Sequence, residues 1–467
     1  MKKSSNPLPV FLIFLALGAT AQKKNIVLLF ADDAGYADFG FQGSKTFQTP
    51  NLDKLASEGV VFKEAYTTAA VCGPSRAGLI SGMYQQRYGI EENNVPGYMS
   101  TSSKLMGDEM GLPLHVKTIA DYLQELGYSS TILGKWHLGN ADKYHPLNRG
   151  FTEFYGFRGG ARSYFPLTQK EAFDRPEKQI ERGFGTYEKV GEYLTDDLAT
   201  EACDFIKRNQ KKPFFMFVSF NAVHSPLHTT KEDLANVRGL IGKRKQLAAM
   251  TLAMDRACGK ILDQLKSLGL EKNTLVVFSN DNGGPDGTMT SNYPLSGCKS
   301  NHLEGGIRVP CVMKLPGVIK AGTTYDHPMS MLDMLPTFIN AGGGEAAKIE
   351  GLDGVDLIPF LTGKKRGVPH DVLFWKKENR GTVRMGDWKL LRFPDRPAEL
   401  YDISEDVSEN NNLAYEHPEK VKELFKILFE WEGELERPLW QLKRRYETNA
   451  MKRMDEKRKP IVDEVNK

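Results

Sequence analysis

Residues 25–30 read NIVLLF, and the run ends abruptly in Ala31, Asp32 and Asp33. A short, uninterrupted apolar run predicts a strand buried on both faces, the kind found in a mostly parallel sheet covered by helices. The design recurs three times. Residues 128–133 (YSSTIL) lead into Gly134, Lys135, Trp136 and His137; residues 213–220 (PFFMFVSF) lead into Asn221 and His224; residues 274–279 (TLVVFS) lead into Asn280, Asp281 and Asn282. In open α/β sheets the ligand crevice lies just outside the carboxyl ends of the strands. Four segments far apart in the chain are therefore expected to converge on one pocket.

Helical patterns lie between these runs. Thr49 and Pro50 open an amphipathic stretch that stops at Gly59, residues 118–127 repeat that design, and residues 253–269 place Ile261, Leu262 and Leu265 on one face. After residue 363 the composition shifts to a basic, turn-rich linker (GKKRGVP), followed by short runs at 372–375, 382–385 and 388–393 that read as an antiparallel meander and by a helical pattern at 417–436. The expected architecture is an α/β fold: a large, mostly parallel sheet covered by helices on both faces, with a smaller C-terminal α+β subdomain containing an antiparallel sheet. Residues 22–363 form the expected main domain and 364–467 the subdomain. Residues 1–21 read as a signal peptide, from a basic start, an apolar core at 10–18 and the Ala19-Thr20-Ala21 cleavage pattern.

Composition narrows the function classes. With 40% apolar and 26% charged residues the chain fits a globular protein and not a disordered or collagen-like one. No run after the leader is long enough to span a membrane, so stable membrane insertion is not expected. The 62 Lys and Arg nearly balance 59 Asp and Glu, and the excess sits in the tail at 441–467, which reads as a solvated basic helix or frayed end. Without a concentrated basic footprint in its body, the protein is not expected to bind nucleic acid. Five scattered cysteines, Cys72, Cys203, Cys258, Cys298 and Cys311, include no Cys-x-x-Cys pair, which argues against a disulfide scaffold or a zinc ribbon. Their odd number in an exported chain marks one of them for special chemistry.

Asp32 and Asp33 at one strand end, with Asp281 and Asn282 at another, would repel one another in a crevice unless a cation neutralised them. Three carboxylates and an amide oxygen favour a hard ion, Ca²⁺ or Mg²⁺ ahead of zinc. Residues 71–82 (VCGPSRAGLISG) add an anion site: Pro74 and Ser75 open a helix whose N-terminal N–H groups face an anion, and Arg76 contributes a permanent charge. Cys72 stands at its mouth.

The segment Cys72-x-Pro74-Ser75-Arg76 resembles the signature of the type I, formylglycine-dependent sulfatases of the alkaline phosphatase superfamily. Residues 127–137, ending in Gly134-Lys135-Trp136-His137, are similar to the second family signature, with a different spacing between the glycines. Residues 49–53, 279–283, 297–299 and 304–310 match in family order, and 384–390 with 399–402 resemble the C-terminal subdomain of bacterial members. The resemblance implies an alkaline phosphatase-like fold and a sulfuric ester hydrolase acting on a sulfated carbohydrate. It implies that a separate maturation enzyme converts Cys72 to Cα-formylglycine, and that Asp32, Asp33, Asp281, Asn282 and the modified Cys72 hold Ca²⁺, with Mg²⁺ second. Arg76 then supports the nucleophile, Lys135 and Lys299 clamp the sulfate, His224 protonates the leaving alcohol, and His137 orients the nucleophile and takes its second proton. A signal peptide on such an enzyme implies a periplasmic or secreted bacterial protein.

Loops outside these motifs are expected to set the substrate: residues 85–94, residues 149–165, and His302 just after Lys299. Arg162 and His302 are candidate sugar or carboxylate contacts by position, whereas His115 and His417 are expected to be structural or exposed. Two alternatives remain open at this level, a phosphonate or phosphodiester hydrolase of the same superfamily and a non-catalytic sulfated-glycan-binding protein.

Overall fold

Every residue of the first strand, β1 (Asn25–Ala31), is buried, as its uninterrupted apolar run requires. The computed structural model describes residues 23–456 and 458–459. The leader read in residues 1–21 and the end of the basic tail lie outside them. The remaining strands are β2 (Val60–Phe62), β3 (Ala65–Tyr66), β4 (Ser129–Lys135), β5 (Glu153–Phe157), β6 (Ile180–Arg182), β7 (Thr186–Glu188), β8 (Phe214–Ser219), β9 (Thr274–Asn280), β10 (Cys311–Lys314), β11 (Thr323–Tyr325), β12 (Met329–Ser330), β13 (Val372–Lys377), β14 (Arg380–Met385), β15 (Trp388–Arg392) and β16 (Glu399–Asp402).

Ten of them form one mixed sheet in the order β11, β2, β10, β9, β1, β8, β4, β5, β6, β7. The central five, β9, β1, β8, β4 and β5, are all parallel, and β10, β6 and β7 add antiparallel neighbours towards the edges. Register decides function here. Phe30 lies opposite both Ser219 and Ser279, and Gly134 opposite Ser219, so the four carboxyl ends finish level with one another.

Side chains along β1 alternate between two cores. Val27, Leu29 and Ala31 pack with the helices Pro50–Ser57, Leu194–Asn209 and Gly242–Ser267. Ile26, Leu28 and Phe30 pack with Cys72–Ser81, Ile119–Glu125 and Met334–Ala341 on the other face. Each fully buried Leu, Ile, Val or Phe contributes about 1.5–3 kcal/mol, so a one-residue slip of β1 would be strongly opposed.

Local cap signals were met unevenly. Thr118 accepts from Asp121 N and Asp121 answers at Thr118 N, a reciprocal capping box. Thr49 makes no cap bond. Instead Asp255, two hundred residues away, accepts from Asn51 N at 3.1 Å and Leu52 N at 2.8 Å. The helix expected at 253–269 begins much earlier, at Gly242. Its first turn is polar in sequence because Arg244 is held by tertiary partners, Asp38 at 2.6 Å and the Phe47 ring at 4.0 Å.

The C-terminal strands β13 to β16 form a separate antiparallel sheet. Val383, Leu390 and Leu400 pack against Leu424, Leu428 and Trp431 of the helix Pro418–Glu432. The basic tail forms the helix Arg444–Glu456, and it is docked, not frayed: Met451 and Met454 bury against Leu391, Phe393 and Tyr401, while Arg396 pairs with Asp455 at 2.6 Å. This sheet is bonded to the main body, with Trp375 Nε1 donating to Thr67 O at 2.6 Å and Arg384 pairing with Glu64 at 2.8 Å. Among the described residues no helix is long and apolar enough to cross a membrane.

Candidate active site

Asp32 and Asp33 follow β1 directly, and Asp281 and Asn282 follow β9, so the register seen above makes them neighbours. Asp33 N donates to Asp281 Oδ1 at 3.2 Å, and Asn282 Nδ2 donates to Asp33 Oδ1 at 2.7 Å. Cys72 begins the helix Cys72–Ser81, and its Sγ lies 3.6 Å from Asp32 Oδ1 and 3.8 Å from Asp33 Oδ1. Lys135, the last residue of β4, reaches Asp32 Oδ2 at 2.7 Å. Lys299 lies 2.6 Å from Asp33 Oδ1 and 3.1 Å from Cys72 Sγ. Arg76, one helical turn past Cys72, pairs with Asp281 at 2.9 Å and donates to Ser219 Oγ at 2.6 Å.

Two histidines complete the cluster. His224 Nε2 lies 3.5 Å from Asp33 Oδ2, and its Nδ1 is 2.6 Å from Ser225 O. His137 is buried in a left-handed conformation (φ 60°), and its Nδ1 has no partner among the described residues. The structure thus brings together Asp32, Asp33, Cys72, Arg76, Lys135, His137, His224, Asp281, Asn282 and Lys299.

Three carboxylates, Asp32, Asp33 and Asp281, face three cations, Lys135, Lys299 and Arg76. Burial and the neighbouring Asp281 push Asp32 above the ordinary carboxylate range, against the pull of Lys135. Burial would raise Asp33 as well, but Lys299 and His224 hold it well below that range. Burial, then the charge of Asp281, pushes the Cys72 thiol up, so the encoded side chain is not a thiolate. Burial, with Lys135 and Arg76 adding to it, keeps His137 far below its usual value and hence neutral.

Ligand atoms of Asp32, Asp33, Cys72 and His224 all lie within 4.8 Å of one another, and the buried Asn282 Oδ1 has no partner among the described residues. An oxygen-rich cluster with one orphaned amide oxygen and a carboxyl raised by its own surroundings fits a hard divalent cation.

A profile described as Sulfatase matches residues 24–344. The chain belongs to the sulfatase family. A second profile, N-sulphoglucosamine sulphohydrolase, C-terminal, matches residues 299–431 of this sulfatase. Mouse (Mus musculus) N-acetylgalactosamine-6-sulfatase is 31% identical over 81% of this chain and 75% of its own. Human (Homo sapiens) steryl-sulfatase is 28% identical over 90% of this chain and 89% of its own. Among solved structures, Ps i-CgsB in complex with k-i-k-neocarrahexaose superposes with a TM-score of 0.83 at 35% identity, covering 93% of this chain and 99% of that one. The protein is a sulfuric ester hydrolase with an alkaline phosphatase-like fold.

Several supporting residues of the sulfatase site were not among the candidate site residues read from the sequence. Ser219 accepts from Arg76 and donates to Lys135 O at 2.7 Å, tying two of the cations together. Asn93 Oδ1 accepts from Gly73 N at 2.7 Å, at the start of the Cys72 helix. Tyr164 donates to His224 O at 2.8 Å. Gly160 packs on the His137 ring, where a Cβ would lie 2.4 Å from Nε2. Ser219 was findable as the last residue of a strand that ends in polar chemistry, and Asn93, Gly160 and Tyr164 lie in the loops at 85–94 and 149–165 that the sequence marked for the substrate, though not for these roles.

The loops expected to set the substrate turn largely inward. Gln85 donates to Thr68 O, Arg87 pairs with Asp353 and Arg149 donates to Leu112 O. Arg162 is buried and donates to Ser163 O and Phe165 O, with no carboxylate paired to it among the described residues. His302 lies under the C-terminal sheet, its Nδ1 3.3 Å from Thr382 Oγ1. His115 and His417 are exposed, and all five cysteines are buried free thiols. A groove of about 1210 Å³ beside the tail helix is lined by residues including Lys376, Glu378, Arg392, Glu432 and Glu447. It holds none of the clustered residues, and its Lys376 and Arg392 are already paired with Glu91 and Glu432.

Proposed function

We propose that this sulfatase is an exported bacterial enzyme that removes sulfate from a sulfated carbohydrate, using a formylglycine made from Cys72 by a separate maturation enzyme, and Ca²⁺ in preference to Mg²⁺. The observation that carries the reading is Cys72 itself: a buried thiol at a helix N-terminus, between two aspartates and 3.1 Å from Lys299. As a thiol it is protonated and a poor nucleophile. Conversion to formylglycine would supply an oxygen nucleophile at that position. Asp32, Asp33, Asp281 and Asn282, with the side chain at 72, would hold the ion, whose charge polarises the sulfate oxygens when bound.

The chain's own residues do the rest. Lys135, Lys299 and Arg76 offset the negative charge of an already anionic ester, so that an oxygen nucleophile can approach it. His224, with Nδ1 turned to Ser225 O, leaves Nε2 to donate a proton to the departing alcohol. His137, neutral and with a free Nδ1, accepts the proton released when sulfate leaves. Carbohydrate as the substrate class is supported by the hexasaccharide complex of the 35% identical structure and by the N-acetylgalactosamine-6-sulfatase relative. Within the division 22–363 and 364–467, Arg162 and His302 are the proposed substrate contacts outside the cluster.

The test is sulfate release, read by ion chromatography, across carrageenan, glycosaminoglycan and mucin oligosaccharides, with mass spectrometry of residue 72. Release from at least one glycan, abolished in Cys72→Ala of unchanged melting temperature, is expected. Activity that survives Cys72→Ala, or a modified enzyme that cleaves no sulfated glycan, would overturn the reading.

A further inference from the structure

The helix Cys72–Ser81 begins without a cap of its own. Val71 stands at its N-cap position, has no side-chain oxygen to offer, and makes no side-chain cap bond. The acceptor comes from another segment: Asn93 Oδ1 takes the Gly73 N–H at 2.7 Å. Asn93 also lies close to the backbone of His137, since a Cβ on Gly73 would meet Asn93 Oδ1 at 3.1 Å and His137 O at 3.6 Å. One side-chain amide thus sits where the first turn of the Cys72 helix meets the segment that follows β4.

Asn93 is held in turn by the C-terminal subdomain. Its own N–H donates to Glu92 Oε1 at 2.7 Å, and Glu92 is buried with Lys377 of β13 as its counter-ion. Glu91, also buried, pairs with Lys376 and accepts from Glu378 N at 2.6 Å. Trp440 Nε1 donates to Glu92 O at 2.8 Å, and Leu439 N donates to Gly89 O at 2.8 Å. A buried carboxylate is costly unless it is paired, so the Glu91–Glu92 stretch can turn inward only where β13 supplies its two lysines. Little slack remains: the cavity lined by residues including Gly73, Glu92, His137 and Trp440 measures about 10 Å³, near the smallest that holds one water.

We propose that Asn93 is a positioning residue for turnover: by capping Gly73 it fixes the side chain at position 72 against Asp32, Asp33 and Lys299, and the C-terminal subdomain, through Lys376, Lys377 and Trp440, keeps that cap in place. This rests on the sulfatase reading of the Cys72 site. Without the cap the first turn of the helix is free to shift, and the nucleophile shifts with it. Lys135 and Lys299, which hold the sulfate, belong to other segments and stay where they are. The loss therefore falls on the chemical step and not on binding.

Asn93→Leu, Asn93→Ala and Asn93→Asp would be made in the full, matured enzyme, with formylglycine content and melting temperature measured, and kcat and KM read on an aryl sulfate. The Leu and Ala variants lack an acceptor and should lose about 10-fold or more in kcat, up to the about 10²-fold of a misplacement near 1 Å. Their KM should stay within about twofold of wild type. Asn93→Asp keeps an acceptor and should stay within about threefold in kcat. Trp440→Phe removes the N–H that holds Glu92 O and keeps an aromatic ring; it should lower kcat by less than Asn93→Leu and add nothing to it in the double variant. A kcat within about twofold of wild type in either the Leu or the Ala variant overturns the proposal. So does an equally large loss in Asn93→Asp, or a loss confined to KM, which would make Asn93 a substrate contact. An unchanged kcat in Trp440→Phe, or an additive double variant, overturns the part given to the C-terminal subdomain. If the matured wild type releases no sulfate from the aryl ester or from the glycans above, the underlying reading of the site fails and the proposal falls with it.

Discussion

Gly160→Ala tests whether the position of the His137 ring matters to turnover. A Cβ at 160 would lie 2.4 Å from Nε2, 2.6 Å from Cε1 and 2.9 Å from Cδ2 of that ring. Non-bonded carbons settle at about 3.5–4.0 Å, so the ring must retreat by roughly 1 Å. The backbone cannot slide with it, because His137 N is bonded to Arg158 O at 3.0 Å. The ring must swing instead. Gly160 is not among the glycines with positive φ, so alanine adds overcrowding of about 1–3 kcal/mol and no left-handed strain. A misplacement of about 1 Å at a catalytic group costs about 10²-fold, or about 2.7 kcal/mol. The assay is kcat on an aryl sulfate with melting temperature and formylglycine content in parallel. A hundredfold fall in kcat with a folded, modified protein is expected, and Gly160→Ala with His137→Ala should be no worse than His137→Ala alone, since both act through one ring. A kcat within about twofold of wild type, with the alanine methyl in place, would refute the role given to His137.

Removal of divalent ions should lower the melting temperature as well as activity, because Asp32, Asp33 and Asp281 would then rely on Lys135, Lys299 and Arg76 alone. Calcium at a hundredfold excess over its Kd should restore about 2.7 kcal/mol, and a melting temperature indifferent to chelator and to added Ca²⁺ would count against the ion site. A separate pH effect is expected in the subdomain interface. Burial pushes Glu409 up to about 7, while Lys389 and Arg308 hold its neighbour Glu304 down to about 2 against its own burial. Because the folded value of Glu409 is raised, its contribution to stability is present below the ordinary glutamate value and is lost as pH rises through about 7. Glu409→Gln should therefore gain in melting temperature relative to wild type between pH 5 and pH 8.5. A difference that stays flat over that range would show that Glu409 does not titrate there.

Much of the site was legible because parallel strands write their chemistry at their ends. The runs before Asp32, Lys135, His224 and Asp281 are locally apolar, and a level register needs only that the strands be parallel. The sites that stayed hidden depend on contacts across long separations. Asp255 caps a helix at Asn51 in place of Thr49, and the first turn of the Gly242–Ser267 helix is polar because Arg244 has distant partners. The tail at 441–467 reads as solvated from its charge, yet two methionines in it dock the helix.

The sequence alone determined which side chains enter the crevice, since hydrophobic periodicity sets where strands stop and which residues follow. The tertiary structure alone decided how those side chains face one another. Lys135 goes to Asp32, Lys299 to Asp33 and Arg76 to Asp281, a matching fixed by packing geometry, because any of the three cations carries the same charge. It also decided that Asn93, Gly160 and Tyr164 reach the cluster. The physical reason is range: periodicity is a property of neighbours along the chain, whereas a cap or a close approach exists only once distant segments have packed.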